Sequence, residues 1–92
     1  MANVVATIKM MPSSPDVNLE EVTAKAKKKI SDFAGEGDVK VEEQPVAFGL
    51  KSLNITFVMD ESKGSTEILE DELKDIEGVQ SVQTTDVRRA VG

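Results

Sequence analysis

The chain has 92 residues, with 17 acidic side chains against 11 basic, a formal net charge of -6, and neither cysteine nor histidine. That composition excludes disulfides, Cys/His zinc centres, thiol or imidazole catalysis and an imidazole pH switch. It also argues against non-specific binding of phosphate backbones, which needs clustered Lys and Arg. The length fits one small domain, residues 1–92, whose thin core leaves little room for an internal active site. No apolar run approaches the ~18 residues that cross a membrane. Met1-Ala2-Asn3-Val4 lacks a signal-peptide pattern. A cytoplasmic protein is expected.

Val4 to Met10 alternates, with Val4, Ala6, Ile8 and Met10 on one side, as in a half-buried strand. Pro12 and Pro15 stop it, because proline cannot extend a hydrogen-bonded ladder. A helix begins after Asn18, which caps it, with Glu21 three residues on to complete a capping box. Leu19, Val22, Ala26, Ile30 and Phe33 form its apolar stripe. Lys27, Lys28 and Lys29 lie towards its end, where cations complement the macrodipole. Gly35 suits the cap.

Asp38 to Gln44 reads as a short polar strand, with Val39 and Val41 inward and with Lys40, Glu42 and Glu43, charges typical of a sheet edge. Pro45 to Lys51 is a loop that shows Phe48 beside Gly49, where no periodicity buries it. Leu53, Ile55, Phe57 and Met59 alternate along a third, central strand. Ser65 or Thr66 caps a second helix with Ile68, Leu69, Leu73 and Ile76 as its apolar face. Glu70 and Lys74 are spaced as an exposed i,i+4 pair. Gly78 ends the helix, Val79 to Val87 is a fourth strand, and Arg88-Arg89 opens a basic tail.

The order β-α-β-β-α-β, with right-handed crossovers, predicts an α+β ferredoxin-like sandwich: a four-stranded antiparallel sheet with two helices on one face. The open face would carry Val5, Thr7, Lys9, Asn54, Thr56, Gln83 and Thr85. It has no aromatic residue on which to stack bases, which argues against RNA recognition. No acids, bases or metal ligands converge, so neither a catalytic centre nor a bound cofactor or metal is expected, and the chain reads as a non-enzyme.

The loop Pro45-Val46-Ala47-Phe48-Gly49-Leu50-Lys51-Ser52-Leu53, the Ile8, Lys9 and Pro12 ending of strand one, Lys63 to Thr66, and Val82 to Val87 together resemble one family. The chain is similar over its whole length to the short archaeal form of elongation factor 1-beta, and to the exchange domain of the eukaryotic counterpart. The resemblance implies a partner, the GTPase elongation factor 1-alpha, whose GDP the family replaces with GTP; nucleic acid and membrane are not direct partners. It implies partner contacts at Phe48, with Pro45, Gly49 and Lys51 around it, and at the C-terminal end, with Asp86, Arg88 and Arg89. Eukaryotic members place a near-terminal lysine towards the nucleotide's magnesium and phosphates; here that position falls at Gly92, and Arg88 and Arg89 are the nearby cations. The alternative left open is a small-ligand-binding regulatory domain of the same fold that acts as a dimer.

Overall fold

The computed structural model describes residues 3–35, 39–63 and 66–89, apart from the side chains of Phe48 and Lys63. Of the positions singled out in the sequence, Asp38, Ser65, Gly92 and the Phe48 side chain lie outside the described residues. The elements are β1 (Asn3–Pro12), α1 (Leu19–Ala34), β2 (Val39–Pro45), β3 (Lys51–Asp60), α2 (Glu67–Lys74) and β4 (Val79–Arg89). Short 3₁₀ turns at Ala47–Gly49 and Glu61–Lys63 flank β3.

The four strands form one antiparallel sheet in the order β2-β3-β1-β4. The two central strands are the most apolar ones, and the two edges are polar. Ala6, Ile8 and Met10 of β1 and Leu53, Ile55, Phe57 and Met59 of β3 are buried on the face that both helices cover. Val22, Ala26 and Ile30 of α1 and Leu69 and Leu73 of α2 close the core from the other side. A large side chain of this kind contributes roughly 1.5–3 kcal/mol by leaving water. This is the ferredoxin-like α+β fold that the periodicity predicts. Among the described residues no helix is long and apolar enough to cross a membrane.

At the start of α1 the Asn18 Oδ1 accepts from the backbone N–H groups of Glu20 and Glu21, at 3.0 and 3.3 Å. Two of the helix's orphan donors are thereby satisfied. The second half of the capping box, a bond from the Asn18 N–H to the Glu21 carboxylate, is absent among the described residues. Gly35, at φ 86°, ends the helix with its N–H on the Ser31 carbonyl.

Other local expectations are corrected. α1 runs to Ala34 and its last turn has no basic residue. Lys27 to Lys29 therefore sit too far back to meet the macrodipole, which fades within one turn. Lys25, Lys28 and Lys29 instead line a cleft opposite Asp75 and Glu77. α2 ends at Lys74 with Asp75 as its cap, before Gly78. Ile76 is buried from the turn beyond the helix, and Ile68 is 66% exposed rather than part of the apolar face. Glu70 turns away from Lys74 to the hydroxyls of Thr66 and Thr84. Arg88 and Arg89 continue β4 rather than forming a tail.

Gly78 shows why the turn before β4 needs glycine. Its φ is 94°, and a Cβ there would lie 2.9 Å from Val17 Cγ1. Its carbonyl accepts from the Ser13 N–H at 2.8 Å, which pins the β1–α1 loop to this turn.

Candidate partner-binding site

The sequence-predicted contact residues fall into two groups. The first lies between β2 and β3. Pro45 ends β2 opposite Lys51, on an edge strand where proline removes no needed ladder donor. The Val46 N–H donates to the Leu50 carbonyl at 2.8 Å and closes the loop; inside it the Leu50 N–H donates to the Ala47 carbonyl at 3.3 Å. Phe48 is the middle residue of the 3₁₀ turn thus formed. Gly49 adopts a φ of 74°. Residues with a side chain enter that left-handed region at a cost of about 1–2 kcal/mol.

Below the loop, the strands are tied by side chains. The Ser52 hydroxyl, fully buried, donates to the Gln44 carbonyl at 3.4 Å, and Asn54 Nδ2 donates to Gln44 Oε1 at 3.0 Å. Lys51 shares the helix-side face with Leu53. It lines a cleft of about 250 Å³ with Pro12, Pro15, Val17, Leu19 and Gly49. Bonds inside the loop and side-chain bonds below it thus close this end, with an open cleft beside Lys51.

The second group lies at the end of β4. After a first register shift, where Pro12 faces Val79 but Met11 faces Ser81, the strand follows β1 to a second: Ile8 faces Thr84, but Thr7 faces Asp86. Thr85 is the extra residue of a β-bulge, and its hydroxyl donates to the Thr7 carbonyl at 3.3 Å. The bulge reverses the alternation that follows. Asp86 and Arg88 come to the open face beside Thr7 and Val5, while Val87 and Arg89 come to the helix side beside Ala6 and Val4. Without it those faces would be exchanged.

The end of β4 carries its own ion pairs. Arg88 Nε lies 2.8 Å from Asp86 Oδ2, and Arg89 Nη2 donates to Glu61 Oε1 at 2.6 Å. The Glu61 hydrogen bond, and then its charge, raise the Arg89 guanidinium above its ordinary range. Both pairs are exposed, so their hold on the fold is small and screened by salt. Either arginine can change partner at low cost.

The structure does not bring the two groups together. Arg88 faces Val5, Val5 faces Val58, and Lys51 starts the same strand as Val58, seven residues away. At about 3.3 Å per residue this separates them by roughly 23 Å along the strand direction. The molecule's longest dimension is 42 Å. What each end offers chemically is exposed contact surface: an apolar loop on one side, paired charges on the other.

Sequence reading missed what four residues do at these ends. Glu61 as the partner of Arg89 is a contact across 28 residues with no local signal. Thr66, Glu70 and Thr84 form a polar cluster between α2 and β4. A threonine two residues after the buried Val82, on the helix side, was the available clue.

Comparison with known proteins sets this geometry in context. The family model described as the EF-1 guanine nucleotide exchange domain matches residues 5–90. The elongation factor 1-beta of Methanothermobacter thermautotrophicus is 48% identical over 91 residues, covering 97% of this chain and 98% of its own length. That of Methanosphaera stadtmanae is 42% identical over 89 residues, with 97% and 98% covered. That of Methanocaldococcus jannaschii is 41% identical over 93 residues, with 98% and 100% covered.

Proposed function

The chain belongs to the family of EF-1 guanine nucleotide exchange domains, and from that premise we propose that it binds elongation factor 1-alpha and promotes exchange of its GDP for GTP. The observation that carries this reading is the family match over residues 5–90, nearly the whole chain. The whole chain then acts as a single exchange domain, in the cytoplasm, without covalent catalysis and without a cofactor of its own.

The two separated ends suit such a role. Exchange requires only that the factor bind the nucleotide-free GTPase better than the nucleotide-bound one. A 10³-fold faster release corresponds to about 4 kcal/mol of differential contact. One wedged aromatic and a few charged contacts supply that amount. In this proposal the loop end, with Pro45, Phe48, Gly49 and Lys51, grips the GTPase. The β4 end, with Asp86, Arg88 and Arg89, meets the region around the bound nucleotide. Arg88 or Arg89 takes up the cationic role that a near-terminal lysine fills in eukaryotic members, exchanging Asp86 or Glu61 for an acceptor on the partner. Linkage makes the effect reciprocal, so excess GDP weakens the complex.

The small-ligand dimer finds no comparable support. The open face is occupied with its own pairs: Thr7 with Thr56 at 3.2 Å, Asn54 with Gln44, and Arg88 with Asp86. Elongation factor 1-alpha loaded with labelled GDP provides the test. Micromolar amounts of this protein should speed release of the label, and an unchanged release rate would overturn the proposal.

A further inference from the structure

α2 is too short to cover β4. The helix has eight residues and the strand eleven. At about 1.5 Å per helical residue the first spans about 12 Å. At about 3.3 Å per residue the second spans roughly 36 Å. The consequence is visible at Val87, which faces the helix side beside Ala6 and is nevertheless 56% exposed. Among the described residues the helix layer makes its last side-chain hydrogen bonds to β4 at Thr84, the residue just before the bulge.

That attachment is polar. Thr84 Oγ1 lies 2.9 Å from Thr66 Oγ1 and 3.1 Å from Glu70 Oε2, and Thr66 Oγ1 lies 3.3 Å from the same carboxylate oxygen. Two hydroxyl protons serve three contacts, and the carboxylate only accepts. The chain Thr66 to Thr84 to Glu70 uses the two shortest. It satisfies a half-buried carboxylate and ties the first turn of α2 to one point of the strand. Beyond that point, among the described residues, β4 is held by its pairing with β1, the Thr85 hydroxyl, and the exposed Arg89–Glu61 pair. A bulge is a natural place for a strand to bend.

We propose that the Thr66–Thr84–Glu70 cluster is the clamp that fixes the bulge and so aims the last residues of β4, with Thr84 as a positioning residue for nucleotide exchange. The exchange part rests on the reading that the β4 end works at the partner's nucleotide site. Thr84 itself faces α2 and does not touch the partner. Its loss therefore leaves the loop-mediated grip in place and reduces the fraction of complexes whose β4 end is correctly aimed.

The test compares Thr84→Val, which keeps the shape and removes the hydroxyl, with Thr84→Ser, which keeps the hydroxyl. Hydrogen exchange on the free protein is measured first. In Thr84→Val the β1-paired amides among residues 86–89 should exchange at least about tenfold faster, with those of residues 79–82 unchanged. Labelled-GDP release from elongation factor 1-alpha is measured next. The maximal release rate should fall about fivefold with little change in the half-saturating concentration, and Thr84→Ser should restore both readings. Unchanged protection in Thr84→Val, or lost protection with an unchanged maximal rate, overturns the inference. Equal loss of protection across all of β4 also overturns it, since the cluster would then be general fold support. If the wild-type protein does not accelerate release, the exchange reading fails, and the hydrogen-exchange comparison still decides whether the clamp exists.

Discussion

The two ends of the sheet are built in opposite ways. The loop between β2 and β3 is held by neighbours in sequence: Val46 bonds Leu50, Leu50 bonds Ala47, and Gln44 takes both Ser52 and Asn54. The end of β4 is held by partners far along the chain: Thr85 to Thr7, Arg89 to Glu61, Thr84 to Thr66 and Glu70. A locally closed loop keeps its shape whatever happens elsewhere. A strand end held at a distance depends on every element it is tied to. In the proposed function the first grips the partner and the second is aimed at its nucleotide site.

Substitutions can separate these roles. The largest effect is expected at the loop: Phe48→Ala should slow the GDP release that this protein stimulates about 30-fold or more, the size of an interface hot spot. Its thermal midpoint should stay within about 2 °C of wild type. A large fall in the midpoint would instead make Phe48 a core plug. Gly78→Ala asks whether the same end of the sheet can lose stability without losing contact surface. It meets both a positive φ and Val17. The substitution should cost about 2–3 kcal/mol in denaturant unfolding. Exchange activity below its melting range should be kept.

At the other end, Arg88→Ala combined with Arg89→Ala should lower the release rate about tenfold and leave the unfolding midpoint nearly unmoved, because exposed ion pairs support the fold weakly. The smallest effect is expected for Glu61→Gln. Removing the Glu61 charge, with an amide oxygen left to accept from Arg89, should change release by about twofold at low ionic strength, with the difference vanishing in high salt. A change that persists in high salt would show that Glu61 does more than hold Arg89.

The same division governs what could be read from the sequence. The strands, both helices, the Asn18 cap and the loop with Phe48 and Gly49 were legible, because alternation, 3.6-residue spacing and turn chemistry are local signals. The fold followed from their order. The bulge at Thr85 was not legible, since it is defined by which β1 residue faces which β4 residue, and one strand alone does not encode that. For this reason Arg88 and Arg89 read as a tail. Ile68 read as core because helical spacing gives a face but not how far a neighbour extends over it. Glu70 read as a partner for Lys74, until tertiary packing supplied Thr84 as a better one. The run Lys27 to Lys29 read as dipole compensation although Gly35 marks the helix end in the sequence: the three lysines lie more than a turn before it, beyond the macrodipole's reach.

Whether the two ends, roughly 23 Å apart along the strands, act on one partner is tested by a double-mutant cycle in the GDP-release assay. Phe48→Ala, the Arg88→Ala/Arg89→Ala pair and their combination would be measured beside the wild type. The wild type should accelerate release, and the two losses should multiply, as for sites with no shared contact. No acceleration by the wild type, or a combined variant no slower than the slower of the two, would contradict that expectation.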